Sequence, residues 1–155
     1  MIEHTHRSRC QEIMHLNSEL RCSVELHDST VVGIEEVGSQ IILFLTMYIH
    51  KTEGRPGWDA GSGFIQAAAI VFSDGELAGE IPELPADISD GSLTVDAEVL
   101  RNMIPIPFSF SGQVSLALNV VGPASLAIGG SRAELTLIGD AAYVEKFVGA
   151  DTAAS

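Results

Sequence analysis

The chain has 155 residues, and its 21 acidic residues outnumber its 8 lysine and arginine residues to give a formal net charge of −13 at pH 7. Its length and its hydrophobic fraction of 46% exclude a disordered chain and predict one domain with a core of its own. The negative charge excludes nucleic acid and anionic membranes as partners and favours a basic protein partner, or a surface that is acidic simply for solubility.

The first segment, residues 1–18, has no apolar run of the signal-peptide type, and the sequence has no run long enough to span a membrane. The helical spacing of Ile13 and Leu16 predicts a short helix in this segment. Four side chains here carry nitrogen or sulfur donors, but their spacing matches no standard zinc site, so we expect no metal or other cofactor. These residues are His4, His6, Cys10 and His15.

Cysteine usage sets the expected compartment. Cys10 and Cys22 are the only two cysteines, and they form neither a close-spaced pair nor part of a larger framework. Small secreted domains often carry several disulfides, because their cores are too small to stabilise them alone. The sequence therefore predicts a soluble protein of the reducing cytoplasm.

The first predicted strand is the clearest one. Apolar and polar residues alternate from Glu19 to His27, which is the pattern of a half-buried strand with Cys22 facing inward. Asp28-Ser29 is expected to form a tight turn after it, because aspartate side chains bond nearby backbone amides.

A hairpin is predicted next. Its strands are Thr30–Val37 and Gln40–His50, and Gly38-Ser39 supplies a two-residue turn between them. Because Gln40–His50 has apolar residues at successive positions, it is expected to lie centrally in the sheet. The region from Lys51 to Gly63 is rich in glycine and proline and is predicted to be a long loop.

The second half of the chain is predicted to contain further short strands with turns at glycines. The expected strands are Phe64–Phe72, a short edge strand from Glu76, Ser92–Val99, Val114–Val120, Ala124–Ile128 and Arg132–Ile138. The expected turns are Asp74-Gly75, Gly122-Pro123 and Gly129-Gly130-Ser131. Two prolines confine Ile104 to Phe108 to a sheet edge or to an extended, polyproline-like connection. Ala141 to Phe147 is predicted to be a brief helix.

This pattern predicts an all-β fold, an antiparallel sandwich or barrel of eight to nine short strands with short helical pieces at both ends. We expect a single domain over residues 19–148, followed by a flexible tail over residues 149–155.

Common catalytic and metal motifs are absent from the sequence. Gly61-Ser62-Gly63 begins like a dinucleotide-binding loop, but Gln66 stands where the third glycine would be. An irregular calcium site using Asp87, Asp90 and Asp96 is an open alternative to a solvated acidic loop.

Two sets of residues are candidates for a site. His27, Asp28 and His50 could form an acid–base group if the fold brings His50 to the other two. Trp58, with Arg55 and Asp59 beside it, lies in the long loop and could anchor a partner or a ring-shaped ligand. The alternative is that Trp58 folds back and covers the end of the core.

The function expected from these features is a non-enzymatic protein-binding module that uses its acidic surface, with the Trp58 loop, to contact a basic partner. The alternative is a small-ligand-binding sandwich or barrel with an apolar pocket. A third hypothesis is an enzyme that uses His27, Asp28 and His50.

Overall fold

The computed structural model describes residues 21–54, 58–122 and 124–147, and every regular element in these residues is a β-strand. The nine strands are β1 (Arg21–Val37), β2 (Gln40–Thr52), β3 (Gly61–Ser73), β4 (Glu76–Gly79), β5 (Ala86–Val95), β6 (Glu98–Arg101), β7 (Met103–Pro105), β8 (Ser109–Val120) and β9 (Ser125–Phe147). All their pairings are antiparallel. The prediction of an all-β antiparallel fold with eight to nine strands is therefore confirmed.

Six of the strands pair in a closed ring. Going round it, β1 pairs with β2, β2 with β3, β3 with β9, β9 with β8, and β8 with β5. The ring closes because β5 also pairs with β1, through Thr30 opposite Asp87 and Val31 opposite Ala86. The short strands attach outside this path: β4 pairs with β9, β6 with β5 and β7 with β1.

One apolar core contains side chains from all six strands of the ring. The alternation expected for β8 is present: Val114, Leu116, Leu118 and Val120 are buried, and the residues between them are exposed. On β2 the odd-numbered residues from Ile41 to Ile49 are buried in the same way. Fully burying one such side chain stabilises the fold by about 1.5–3 kcal/mol, so this alternation is what determines which face of each strand turns inward.

Several predictions about single elements are confirmed. Val37 pairs with Gln40 across the two-residue turn at Gly38-Ser39, and β2 lies between β1 and β3. Glu76 begins the short strand β4, and β7, with Pro105, pairs with β1 at one end of the strand order.

Three predicted turns or breaks are wrong because the strands are longer than expected. Asp28-Ser29 lies inside β1, which continues to Val37. The Gly129-Gly130-Ser131 turn is absent: β9 passes through these residues, and a Cβ on Gly130 would contact the backbone oxygen of Ser73. The glycine here allows two backbones to approach closely and is not a turn residue. The loop after β2 is also shorter than predicted, because β3 already begins at Gly61.

Two further predictions about the second half are corrected. The predicted Ser92–Val99 strand contains a turn at Asp96, which has a φ of 55° and separates β5 from β6. The predicted helix from Ala141 to Phe147 is the last part of β9, which pairs with the start of β3. Pairing with a neighbouring strand outweighs the weak local preference of this segment.

Some predictions lie outside the described residues, namely the N-terminal helix, the N-terminal histidines with Cys10, the C-terminal tail and Arg55. Cys22 faces inward as predicted, with 1% of its surface exposed, and it is disulfide-bonded. None of the described segments forms a helix with the length and apolar character needed to cross a membrane.

Candidate functional site

A bulge in β1 forms the centre of the candidate site. Glu25 pairs with Tyr48 and Thr30 pairs with Thr46, so residues 26–29 of β1 all stand opposite Met47 of β2. The Ser29 hydroxyl occupies the resulting gap: it donates to the backbone oxygen of Glu25 at 2.8 Å and accepts from the backbone nitrogen of Tyr48 at 3.0 Å. Bulges of this kind change the direction of side chains near functional sites.

The bulge presents His27 and Asp28 to solvent beside a buried carboxylate. The side chains of His27 and Asp28 are 39% and 51% exposed, whereas that of Glu25 is 10% exposed. Nε2 of His27 lies 3.4 Å from Oε1 of Glu25 and 3.2 Å from Oδ2 of Asp28. The adjacent residues His27 and Asp28 therefore do contact each other, because the bulge releases them from the strict alternation of a strand.

Asn102, in the connection between β6 and β7, fixes the orientation of His27. Its side-chain oxygen accepts from the backbone nitrogen of His27 at 2.9 Å, and its backbone oxygen accepts from the Leu26 nitrogen at 2.8 Å. Because the side-chain oxygen of Asn102 already accepts this hydrogen bond, the side-chain nitrogen of Asn102 is the atom that faces Nδ1 of the His27 ring. An amide nitrogen only donates, so Nδ1 accepts and the proton of neutral His27 is on Nε2.

This tautomer decides how the cluster can react. Glu25, His27 and Asp28 are the group of possible metal ligands that lie within 4.8 Å of one another in the described part of the chain. Nε2 of His27, however, carries a proton that points toward the two carboxylates, and a metal needs the lone pair of a deprotonated nitrogen. The geometry favours a hydrogen-bonded acid–base cluster over a metal centre. Asp87, Asp90 and Asp96 do not form a group of this kind among the described residues.

His50 on β2 reaches the same carboxylate from the other side. Its Nδ1 lies 3.5 Å from Oε2 of Glu25, so one carboxylate stands between two imidazoles. The His50 ring is buried and packs against the Phe147 ring with a centroid separation of 4.5 Å. Burial lowers the pKa of His50, and a hydrogen bond to the backbone of Asp59 partly opposes that shift.

The charge on Glu25 is unfavourable in the fold. Burial raises the pKa of Glu25 most, the charge of His27 lowers it, and the nearby carboxylates of Asp28 and Glu145 raise it further. The cluster therefore combines a carboxyl group that holds its proton more tightly than usual with a histidine, His50, that holds its proton less tightly.

Two glycines on β3 leave the space that the site occupies. Gly63 pairs with His50 on one side and with Glu145 on the other. A Cβ on Gly63 would contact the Tyr48 hydroxyl, which instead crosses over β3 and bonds Glu145 on β9. A Cβ on Gly61 would lie 2.8 Å from Nε2 of His50. These glycines form the floor of the site on a strand, and they do not form a nucleotide-binding loop.

The loop after β2 is fixed to the same end of the sheet. The Thr52 hydroxyl donates to the Ala60 oxygen at 2.5 Å and accepts from the Gly54 nitrogen at 3.0 Å, which closes the base of the loop. Asp59 contacts His50 through its backbone, and Trp58 is 54% exposed.

A continuous chain of contacts thus joins five of the six residues that were considered from the sequence. It runs from the Trp58 loop through Asp59 to His50, then through Glu25 to His27 and Asp28. Arg55 lies outside the described residues. Glu25 is the link that sequence reasoning missed: alternation placed it on the polar face of β1, but nothing in the sequence indicated that Tyr48 and His50 lie beside it. Asn102 and Glu145 were missed for the same reason.

Comparison with family models, with curated proteins and with solved structures finds no match to this chain.

Proposed function

We propose that the chain is a non-enzymatic binding module that contacts a basic protein partner with the end of the sheet that carries Trp58 and the β1 bulge. The observation that carries this proposal is the exposure of Trp58 on a loop whose base is fixed. Because Ala60 and Asp59, the neighbour of Trp58, are already held by hydrogen bonds to Thr52 and His50, the backbone next to the indole ring loses little conformational freedom when a partner covers the ring.

A second aromatic residue at the same end supports the proposal. Tyr143 on β9 is exposed, and its ring packs edge-to-face on Phe64 with a centroid separation of 5.7 Å. Tryptophan and tyrosine are enriched among the residues that contribute most to protein interfaces. Two exposed aromatic side chains on a fixed scaffold are typical of such a contact surface.

The charges beside the β1 bulge favour a cationic partner. Burial raises the pKa of Glu25 most, and the carboxylates of Asp28 and Glu145 raise it further because their negative charges repel that of Glu25. A lysine or arginine from a partner would reduce this repulsion and could also stack on Trp58. The net charge of −13 would attract such a partner over a longer range and speed the encounter.

Site-specific photo-crosslinking in the source cells tests this proposal. A photoreactive phenylalanine replaces Trp58 in one variant and Val37 in a control variant, because Val37 is 53% exposed at the opposite end of the β1–β2 hairpin. We expect a discrete protein adduct from position 58 and none from position 37. The purified partner should bind more weakly as salt increases, and Trp58→Ala should weaken binding by about tenfold or more. Adducts of the same pattern from both positions, or an affinity indifferent to ionic strength, would contradict the proposal.

Small-ligand binding is the second candidate function. It is favoured by a groove of about 600 Å³ beside the site, with Lys51, Ser62, Lys146 and Phe147 among its lining residues. A cavity of this size is within the range of small-molecule sites.

An enzyme that uses His27, Asp28 and His50 is the third candidate. His27 and Asp28 are in contact, and Glu25 joins them to His50, so an acid–base relay is geometrically feasible. The nearest hydroxyl in sequence, that of Ser29, donates to a backbone oxygen and is not placed to act as a nucleophile. We therefore rank this function below the two binding functions.

Cytoplasmic location remains a prediction. The disulfide at Cys22 is typical of oxidising compartments, and it opposes the expectation of a reducing setting. Alkylation of the protein directly on cell lysis, followed by intact-mass measurement, distinguishes the two: blocked thiols indicate a reducing compartment, and an unmodified Cys22 indicates an oxidising one.

A further inference from the structure

The two lysines of the chain lie on either side of one serine. Lys51 and Lys146 are the only lysines in the sequence, although they are 95 positions apart by residue number. Lys51 on β2 pairs with Ser62 on β3, and Ser62 pairs with Lys146 on β9. The three residues therefore form one cross-strand row, with their side chains on the same face of the sheet.

This row lies at the open end of the ring of strands. Side chains two residues apart on a strand point to the same face, and Met47 and Ile49 on β2 face the core. Lys51 therefore points to the core-facing side of the sheet, just beyond the last apolar residue of the strand. The Lys51 ammonium is 4.5 Å from the centroid of the Phe64 ring, which also faces the core. The aliphatic part of Lys51 therefore lies at the end of the apolar core, next to Phe64.

The spacing of the two lysines suits a small anion. Neighbouring strands are about 4.8 Å apart, so lysines two strands apart have Cα atoms separated by roughly 10 Å, and their ammonium groups can converge on one ligand above Ser62. Among the described residues, the groove of about 600 Å³ at this position is also lined by Ala60 and contains one acidic residue, Glu53. In a chain with 21 acidic residues, a groove with more cations than carboxylates is a local exception.

We propose that this groove binds a small oxyanion, the carboxylate or phosphate group of a metabolite, between Lys51 and Lys146. The Ser62 hydroxyl would donate a hydrogen bond to the anion. The proposal deepens the second candidate function, small-ligand binding, and does not depend on the protein-binding proposal. It also gives the acidic chain a specific way to hold a ligand that its overall charge repels.

Titration with three probes, followed by amide chemical shifts in NMR spectra, tests this inference. The probes are inorganic phosphate, acetate and neutral phenol, each added to the full chain at constant ionic strength. The variant Lys51→Gln/Lys146→Gln is compared with Arg101→Gln/Arg132→Gln, which removes the same charge from exposed residues elsewhere. Because Lys146 is itself exposed, Lys146→Gln alone serves as a second variant if the double variant does not fold.

We expect phosphate, acetate or both to shift the amides around Ser62 in the wild type and in the arginine control. Binding should weaken by about tenfold or more in the lysine variants. The anion that binds with the higher affinity identifies the oxyanion that the groove prefers. Equal binding by the lysine and arginine variants, or no shift near Ser62 with either anion, would overturn the inference. Shifts with phenol alone would overturn it while leaving small-ligand binding intact.

Discussion

Oε2 of Glu25 lies 3.5 Å from Nδ1 of His50 on the neighbouring strand. The other carboxylate oxygen faces His27, so Glu25 joins two histidines that belong to different strands. Both Glu25 and His50 are buried, and burial moves the pKa values of a carboxyl group and an imidazole in opposite directions. The protonation of this pair therefore makes the stability of the fold depend on pH.

The first prediction concerns Glu25→Gln. The pKa of Glu25 is raised in the folded chain, so the folded state binds its proton more tightly than the unfolded state does. The stability that this group contributes is complete below the ordinary pKa of 4.5 and is lost as pH rises through the raised value. We expect the wild type to lose stability relative to Glu25→Gln over this window, as measured by urea unfolding.

Glu35→Gln is the matched control for this measurement, since Glu35 is exposed on the same strand. Its unfolding profile should stay parallel to that of the wild type. A Glu25→Gln profile that also stays parallel would show that Glu25 is not held in an unfavourable charged state.

The second prediction concerns His50→Gln. Burial lowers the pKa of His50, so the folded state binds its proton less tightly than the unfolded state does. The contribution of His50 is complete above its ordinary pKa of 6.5 and is lost as pH falls through the lowered value. We expect wild-type stability to decline below pH 6.5 more steeply than that of His50→Gln. Comparing slopes avoids the separate cost of losing the Asp59 contact, and identical slopes would refute the prediction.

The third prediction concerns Gly63→Ala. The added Cβ would occupy the place of the Tyr48 hydroxyl and lie 3.3 Å from Cζ of Phe147, so the bond from Tyr48 to Glu145 must break or the strands must shift. Overpacking of this kind costs about 1–3 kcal/mol of unfolding free energy. Gly129→Ala on β9 is the control, because its Cβ would lie 3.5 Å from the backbone oxygen of Val114, which is an ordinary van der Waals contact. If chemical denaturation shows that both variants lose the same unfolding free energy, the Tyr48 side chain can move aside for the added Cβ and the prediction is wrong.

The fourth prediction concerns the tautomer of His27. We expect nitrogen chemical shifts in NMR spectra to place the proton of neutral His27 on Nε2, and Asn102→Gly to remove this preference while keeping the backbone φ of 62° accessible. Asn102→Ala should lose the same contacts and also pay about 1–2 kcal/mol for the left-handed backbone. A proton on Nδ1 in the wild type would leave the lone pair of Nε2 free to bind a metal beside Glu25 and Asp28, and would contradict the prediction.

Local patterns predicted much of the fold. Alternation in β1 and β8, the consecutive apolar residues of β2 and the turn at Gly38-Ser39 each reflect local chemistry, so the all-β class followed from them. Predictions failed where a distant strand supplied the decisive contact. Gly129-Gly130 resembles a turn, but it lies within β9 because β4 and β8 pair with it there.

The candidate site likewise contains residues that the local sequence could identify and residues that it could not. His27, Asp28, His50 and the Trp58 loop could be selected from residue type and loop length. The role of Glu25 could not, because it depends on the bulge that places Glu25 opposite Tyr48 and next to His50. Neither that bulge nor the position of Asn102, contributed by a connection 75 residues from His27, leaves a signal in the local sequence.

The ring of strands has a short seam. β5 and β1 are joined by two residue pairs, with one further bond from the Thr30 hydroxyl to Oδ1 of Asp87 at 2.9 Å. Thr30 directly follows the bulge that carries His27 and Asp28, so a partner bound at the bulge also restrains the seam. Amide protons in the β1–β5 pairing should exchange with solvent faster than those of β2 or β3. Their exchange should slow when a partner occupies the bulge.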